Sequence, residues 1–245
     1  MWCTMSRQQR QLPTTPLLIT GADVDPAKSV RDLGIYIDAD LVMRTHVQRT
    51  VYRCFAALRQ LHQIRHSVPS DTFQSLIVSL AISRLDYGNA ALVGLVVYLV
   101  RHLQSVLCSG TADPTRSADH ITDALVSLHW LRVPQWIEYK IAALTYKALH
   151  GSAPRYLGPL VLVADLPGHR ALRSAGTSRL SVPSVRLSTV GSRAFPVNVS
   201  PRIWNALPQE TTSISPVAVF VPSASEVAPL QMILSRPRHL MFYTV

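Results

Sequence analysis

The chain has 245 residues, 48% of them hydrophobic, and a formal charge of +10 from 24 basic and 14 acidic residues. Such a length and apolar content exclude a wholly disordered chain and allow one or two small domains with a core, while the charge favours a polyanionic partner. Lysine occurs only at Lys28, Lys140 and Lys147, so the positive charge is almost all arginine, whose planar fork pairs with phosphate and stacks on bases; GC-rich coding would produce the same Arg, Ala, Pro and Leu bias, and composition alone does not separate the two explanations.

In chain order, Leu17-Leu18-Ile19 and Leu33-Gly34-Ile35-Tyr36-Ile37 read as strands around a turn-rich Gly21–Pro26, predicting a β-hairpin or ribbon that must lean on another element. Thr45 followed three residues later by Gln48 matches a capping box. Val47, Val51, Cys54, Phe55, Leu58 and Leu61 then recur at helical spacing as one buried stripe. Arg44, Arg49, Arg53, Arg59 and Arg65 fall largely off that stripe, and no acid occurs between Asp40 and Asp71. Pro69-Ser70-Asp71 opens the next helix, with Ser70 as its N-cap; Phe73, Leu76, Ile77, Leu80 and Ala81 supply its face and Gly88-Asn89 its end. A short helix is expected at Tyr98–Leu107, a loop at Cys108–Ser117 and a helix at His120–Trp130, with Pro134 as punctuation. A strong helix then runs from Trp136 to His150, its apolar positions Ile137, Ile141, Leu144, Ala148 and Leu149 ending at a Gly151 cap. From 154 to 202 Pro, Ser, Arg and Gly dominate, with a β-prone run at Leu180–Val190, and Trp204-Asn205-Ala206-Leu207-Pro208 is a small apolar anchor. Periodicity is lost from Ser213 onward, where disorder is expected.

The fold class so derived is mainly α. A small N-terminal β-hairpin (1–40) precedes a helical region (41–153), a Pro/Ser/Arg-rich irregular region (154–212) and a disordered tail (213–245). Cys3, Cys54 and Cys108 are far apart with no Cys-x-x-Cys, which excludes a zinc ribbon or disulfide framework and fits a reducing, intracellular setting. Met1–Arg10 has no apolar core of a signal peptide. Arg84, Asp86 and Asn89 interrupt the most hydrophobic stretch, Phe73–Val100, leaving it too short to span a bilayer, so a soluble chain is expected.

Motifs for enzymatic chemistry are missing. The chain has no Gly-rich phosphate loop, no dinucleotide fingerprint, no nucleophile elbow and no adjacent aspartates, whereas nucleotidyl transfer needs clustered carboxylates for two metal ions. No catalytic residue and no cofactor are therefore assigned. Asp38 and Asp40 read better as turn or capping carboxylates than as a metal pair. His62 and His66 share a helix face but lack an intervening Glu and a third ligand, and Cys54 lies on the apolar stripe. The basic helix is the one feature with a plausible function. Arg44, Arg49, Arg53, Arg59 and Arg65 can contact successive phosphates and Tyr52 can stack on a base; the competing explanation is the solvated face of a helical bundle.

Several phrases are more specific. Val30-Arg31-Asp32-Leu33-Gly34-Ile35-Tyr36-Ile37-Asp38, Ser83-Arg84-Leu85-Asp86-Tyr87-Gly88-Asn89 and Leu103-Gln104-Ser105-Val106 are followed by His129-Trp130-Leu131-Arg132-Val133-Pro134 and Thr145-Tyr146-Lys147-Ala148-Leu149-His150-Gly151. With Ala153-Pro154-Arg155-Tyr156-Leu157 and Pro201-Arg202-Ile203-Trp204-Asn205-Ala206-Leu207-Pro208, the series resembles, collinearly over about residues 1–220, the region after the palm of LINE-type (non-LTR) retrotransposon reverse transcriptases. The resemblance implies a parent with an endonuclease, fingers, an Mg2+-dependent palm, and a thumb that holds a template–primer duplex. It places this chain just after the palm's catalytic strand pair, so the paired catalytic aspartates have no counterpart here. Two departures imply decay. After Val106 the family continues as a helix beginning Leu-Asn-Ala-Ala-Ala-Arg-Leu; one set of codons for Asn-Ala-Ala-Ala-Arg-Leu, read two bases later, gives Cys-Ser-Gly-Thr-Ala-Asp, the residues at Cys108–Asp113, so a frameshift is the expected origin. After Phe220 a basic helix of the family is replaced by Val221-Pro222-Ser223-Ala224. The expected function is that of a non-catalytic fragment with sequence-independent affinity for RNA or DNA and no small-molecule substrate. A nucleic-acid- or protein-binding module put to use by a host, and a pseudogene product without function, are the alternatives.

Overall fold

The computed structural model describes residues 1–4, 8–13, 15–111, 130–166, 178–185 and 193–208. The chain divides into two compact units, Met1–Gly110 and Thr111–Val245. It is mainly helical, with small antiparallel strand pairs at the N-terminus.

The first unit opens with two ribbons rather than one hairpin. Strand β1 (Leu17–Ile19) pairs with β2 (Ala22–Val24), and β3 (Ser29–Asp32) pairs with β4 (Ile35–Asp38), both antiparallel. Leu17-Leu18-Ile19 therefore does not meet Leu33–Ile37, as the single-hairpin expectation required. Each ribbon closes through a two-residue turn with both central φ angles positive, Thr20 and Gly21 in one, Leu33 and Gly34 in the other. Such turns match the twist of the paired strands and so make each ribbon locally self-sufficient. β1 and β2 are exposed throughout, whereas β4 lies against the first helix, α1 (Arg44–Ile64).

α1 buries His46, Val47, Cys54, Ala57, Leu58 and Leu61. Each large aliphatic side chain so buried contributes about 2 kcal/mol. The segment from Ser70 to Asp86 was expected as one helix and is instead interrupted: α2 (Ser70–Ile77), a π turn (Val78–Ile82) and α3 (Ser83–Asp86). A π turn inserts one extra residue and rotates everything after it. Ile82 is consequently buried beside Ala81, which the period placed in the core, while Leu80, assigned to the core by the same period, is exposed. Ser75, Ser79 and Ser83 each donate a hydroxyl to the carbonyl four residues back, a pattern that bends helices. Ser70 does not cap α2; Pro69 holds the cap position and no side chain bonds there, while Asp71 lies in the first turn as the dipole favours.

The end of α3 grips the β3–β4 ribbon. Tyr87 donates its hydroxyl to the Leu33 carbonyl, and its ring lies against Gly34. Gly88, at φ +70°, approaches Ile35 so closely that an added Cβ would sit 2.6 Å from Ile35 Cδ1. Beyond it, α4 (Val97–Thr111) buries Leu99, Leu103, Val106 and Leu107. The loop expected from Cys108 is helical as far as Thr111; the rest of that loop, the helix expected at His120–Trp130 up to His129, and the tail from Ser213 lie outside the described residues.

In the second unit, α5 (Val133–Leu149) carries Pro134 within its first turn, where no helical hydrogen bond is lost. Its buried residues Val133, Ile137, Ile141 and Thr145 repeat every four positions. At its end Gly151 N–H donates to Ala148 and Ser152 N–H to Lys147, with Gly151 at φ +71°, a Schellman stop. The following stretch, expected to be irregular, is anchored by α6 (Ser200–Ala206), which packs on α5. Trp204 donates its indole N–H to the Ser178 carbonyl at 2.8 Å, and Asn205 accepts from Leu180 N–H at 2.8 Å while donating to the Leu180 carbonyl at 2.9 Å. Leu180 thereby bridges to Leu162 as an isolated β pair instead of leading a strand. Thr145 and Ser200 share a buried hydroxyl contact at 2.8 Å.

Gly88→Ala should lower stability by about 1–3 kcal/mol, because it combines a left-handed backbone with a clash against Ile35. Urea melts of both proteins check this, and coincident midpoints would show that the ribbon is not gripped there.

Candidate nucleic-acid interface

The orientation of α1 is set by the end of β4. Asp38, buried, accepts from Thr45 N–H through Oδ2 at 2.9 Å, and Asp40 accepts from Val42 N–H through Oδ1 at 3.1 Å. Both carboxylates thus serve turn and cap. The capping box does not form: the cap position is Met43, in the left-handed region at φ 63°, and Thr45 is a donor to Asp38 rather than an acceptor for the first turn. Among the described residues no group of three His, Cys, Asp or Glu side chains could hold a metal ion. His62 and His66 are exposed, with His62 against the Phe73 ring. Cys54 is fully buried, donates to the Ala81 carbonyl, and its thiol is pushed by burial up to about 11, the chemistry of a core residue.

With α1 turning about 100° per residue, the buried side chains occupy an arc from roughly 200° to 320° measured from Arg44. Arg59 and Tyr52 fall at about 60° and 80°, Arg49 at about 140° and Arg53 at about 180°. Arg44, Arg49, Tyr52, Arg53 and Arg59 are all exposed and share the outer half of the helix. Arg65 does not join them. It follows the last turn of α1, and its guanidinium stands 5.5 Å from the Phe73 ring centroid.

The exposed arginines differ in how they are held. Arg44 donates from Nε to the Tyr98 hydroxyl at 3.0 Å, which chiefly raises its pKa, and lies 3.9 Å from Asp40. Arg49 donates to the Tyr36 hydroxyl at 3.0 Å and lies over that ring, 4.4 Å from its centroid. Sequence periodicity could not show that Arg31 of β3 approaches the same ring, at 5.9 Å, or that Arg84 of α3 donates to the Arg53 carbonyl at 3.2 Å. Both arrive through tertiary contacts, and no local spacing signals them. Arg49 and Arg84 are thus held by uncharged partners, and among the described residues Arg31, Arg49, Arg53, Arg59 and Arg84 have no carboxylate within ion-pair reach. No helix of the described residues is long and apolar enough to cross a membrane. No family model, curated protein or solved structure matches the chain.

Beneath the arginines, His46 is buried and its Nδ1 accepts a long hydrogen bond from Tyr36 N–H, 3.5 Å. Burial pushes its pKa below the ordinary 6.5, with Asp38 opposing. The unfolded imidazole therefore binds protons first as pH falls. The contribution of neutral His46 is complete above the ordinary value of 6.5 and is lost as pH drops toward the lower folded value. His46→Gln should show a smaller loss of stability than the native chain between about pH 7.5 and about pH 5.5 in urea titrations. An identical loss in both proteins would mean that another group carries the acid sensitivity.

Proposed function

We propose that the chain is the post-palm, thumb-like part of a non-LTR retrotransposon RNA-directed DNA polymerase, without catalytic residues of its own, that binds the phosphate backbone of RNA or DNA irrespective of sequence through the exposed face of α1. The observation that supports this most is the outer half of α1, where Arg44, Arg49, Arg53 and Arg59 are exposed and no acid occurs from Asp40 to Asp71. A solvated bundle face ordinarily mixes both signs, since opposite charges at helical spacing stabilise a helix and like charges weaken it. A helix that keeps four arginines and no acid carries that repulsion for a partner to relieve. Arg53 and Arg59 are the central contacts in this reading, because Arg44 and Arg49 also brace Tyr98 and Tyr36. The collinear phrases from Val30 to Pro208 support the family assignment, and no Mg2+ site is assigned to this part.

Filter-binding titrations against salt test the reading. Native protein should lose affinity steeply with salt, and Arg53→Ala combined with Arg59→Ala should flatten the log–log slope by about 1.4–1.8, the value for two released phosphate contacts. Stability should stay within about 0.5 kcal/mol, as both side chains are exposed. An unchanged slope, or no binding at low salt, would overturn the proposal.

A further inference from the structure

Arginines from two other elements close on the same stretch of α1. Arg31 and Arg49 both approach the Tyr36 ring, at 5.9 and 4.4 Å from its centroid. One turn farther along the same side Arg84 reaches the Arg53 carbonyl at 3.2 Å. Arg49 and Arg53 are one turn apart, about 6 Å along the axis. All four side chains are exposed, so the positive surface widens at one edge of α1 to take in the ribbon and α3. Asp32 does not interrupt it, because neighbouring residues in a strand point to opposite faces of the ribbon. Next to this edge Tyr52 is 70% exposed. Its ring lies about 60° around the helix from Arg49.

We infer that this array along one edge of α1 is a single-strand track, with Arg31 and Arg84 as phosphate contacts beside Arg49 and Arg53, and Tyr52 as the platform for an unpaired base of RNA or DNA. The inference rests on α1 binding nucleic acid at all and adds the form of the ligand and two contacting elements. A duplex presents phosphates on its rim and hides its base faces in the stack, which leaves an exposed tyrosine among the arginines with nothing to cover. A single strand supplies both groups within one or two nucleotides, and stacking on a tyrosine is indifferent to sequence.

The full chain is titrated by fluorescence anisotropy with a labelled single strand of about 20 nucleotides, a length that exceeds ordinary single-strand site sizes, and with the blunt duplex of the same sequence, at several salt concentrations. Tighter binding of the single strand is expected. Tyr52→Ala should weaken it roughly tenfold and leave the duplex within about twofold, with Tyr52→Phe close to native. Arg31→Ala with Arg84→Ala should lower the single-strand salt slope by about 1.4, and the two Arg→Lys replacements should restore it. Restoration by lysine separates phosphate contact from the packing role of Arg84. Preference for duplex, equal loss on both ligands from Tyr52→Ala, or an unchanged slope without Arg31 and Arg84 would overturn the inference. If the Arg53 and Arg59 replacements still reduce binding in those cases, the reading of α1 survives; binding of neither ligand by the native chain removes both.

Discussion

Asp38 stands at the point where the first unit changes from strand to helix, and its carboxylate is the contact on which the orientation of α1 depends. It closes β4 opposite Ser29 and then holds the amide of Thr45 in the first turn of the helix. The chain must reverse between those residues, and it does so with Leu41 and Met43 in left-handed conformations that cost about 1–2 kcal/mol each. The amides of Val42 and Thr45, turned inward by that reversal, would be left without acceptors if Asp40 and Asp38 were apolar. Once the first turn is fixed, the rotation of the helix is fixed with it. Val47, Leu58 and Leu61 must then face the core, and the arginines at the remaining positions must face out.

Periodicity could read the second half of that statement but not the first. The stripe from Val47 to Leu61 predicts a helix and its buried side, because repeating apolar residues have one place to go. The start of the helix followed a different rule from the one the local pattern suggested. Thr45 and Gln48 fit a capping box, yet a carboxylate seven residues earlier in the chain reaches the amide of Thr45 and no local side chain caps the first turn. Leu80 shows the same limit from another direction: a single π turn shifts the phase by one residue, and the period assigns it to the core it no longer faces. The ribbons were half legible. Thr20-Gly21 and Leu33-Gly34 are turn dipeptides, but treating Gly21–Pro26 as one long turn paired strands that instead find partners two residues away.

In the second unit the illegible part is side chain to backbone. Asn205 pairs with both the amide and the carbonyl of Leu180, imitating a neighbouring strand. A Pro- and Ser-rich stretch with no apolar period can be held this way because two hydrogen bonds and a buried indole replace the extended core that periodicity detects. The candidate interface was legible to the same degree as α1 itself. Arg44, Arg49, Tyr52, Arg53 and Arg59 follow from helical spacing, whereas Arg65 leaves with the last turn and Arg31 and Arg84 enter from elements distant in sequence.

How the arginines are braced decides whether their charge remains available. An arginine held by a carboxylate is fixed and neutralised together, and its field is largely cancelled at a distance. Arg49 is fixed by a phenol and the face of its ring, Tyr36, and Arg84 by a peptide carbonyl. These partners restrict the side chain and carry no net charge, so the full positive potential persists in the solvent beyond them. Ordering the guanidinium before a ligand arrives also removes part of the entropy cost that a free arginine would incur on binding. Arg44 is the counter-case, since Asp40 lies 3.9 Å away. The guanidiniums without a carboxylate partner therefore begin not at the N-terminus of α1, where the helix dipole is positive, but farther along, at Arg49 and Arg53. That displacement sets the uncompensated guanidiniums beside the exposed ring of Tyr52, so a strand bound as proposed would meet charge and aromatic surface together.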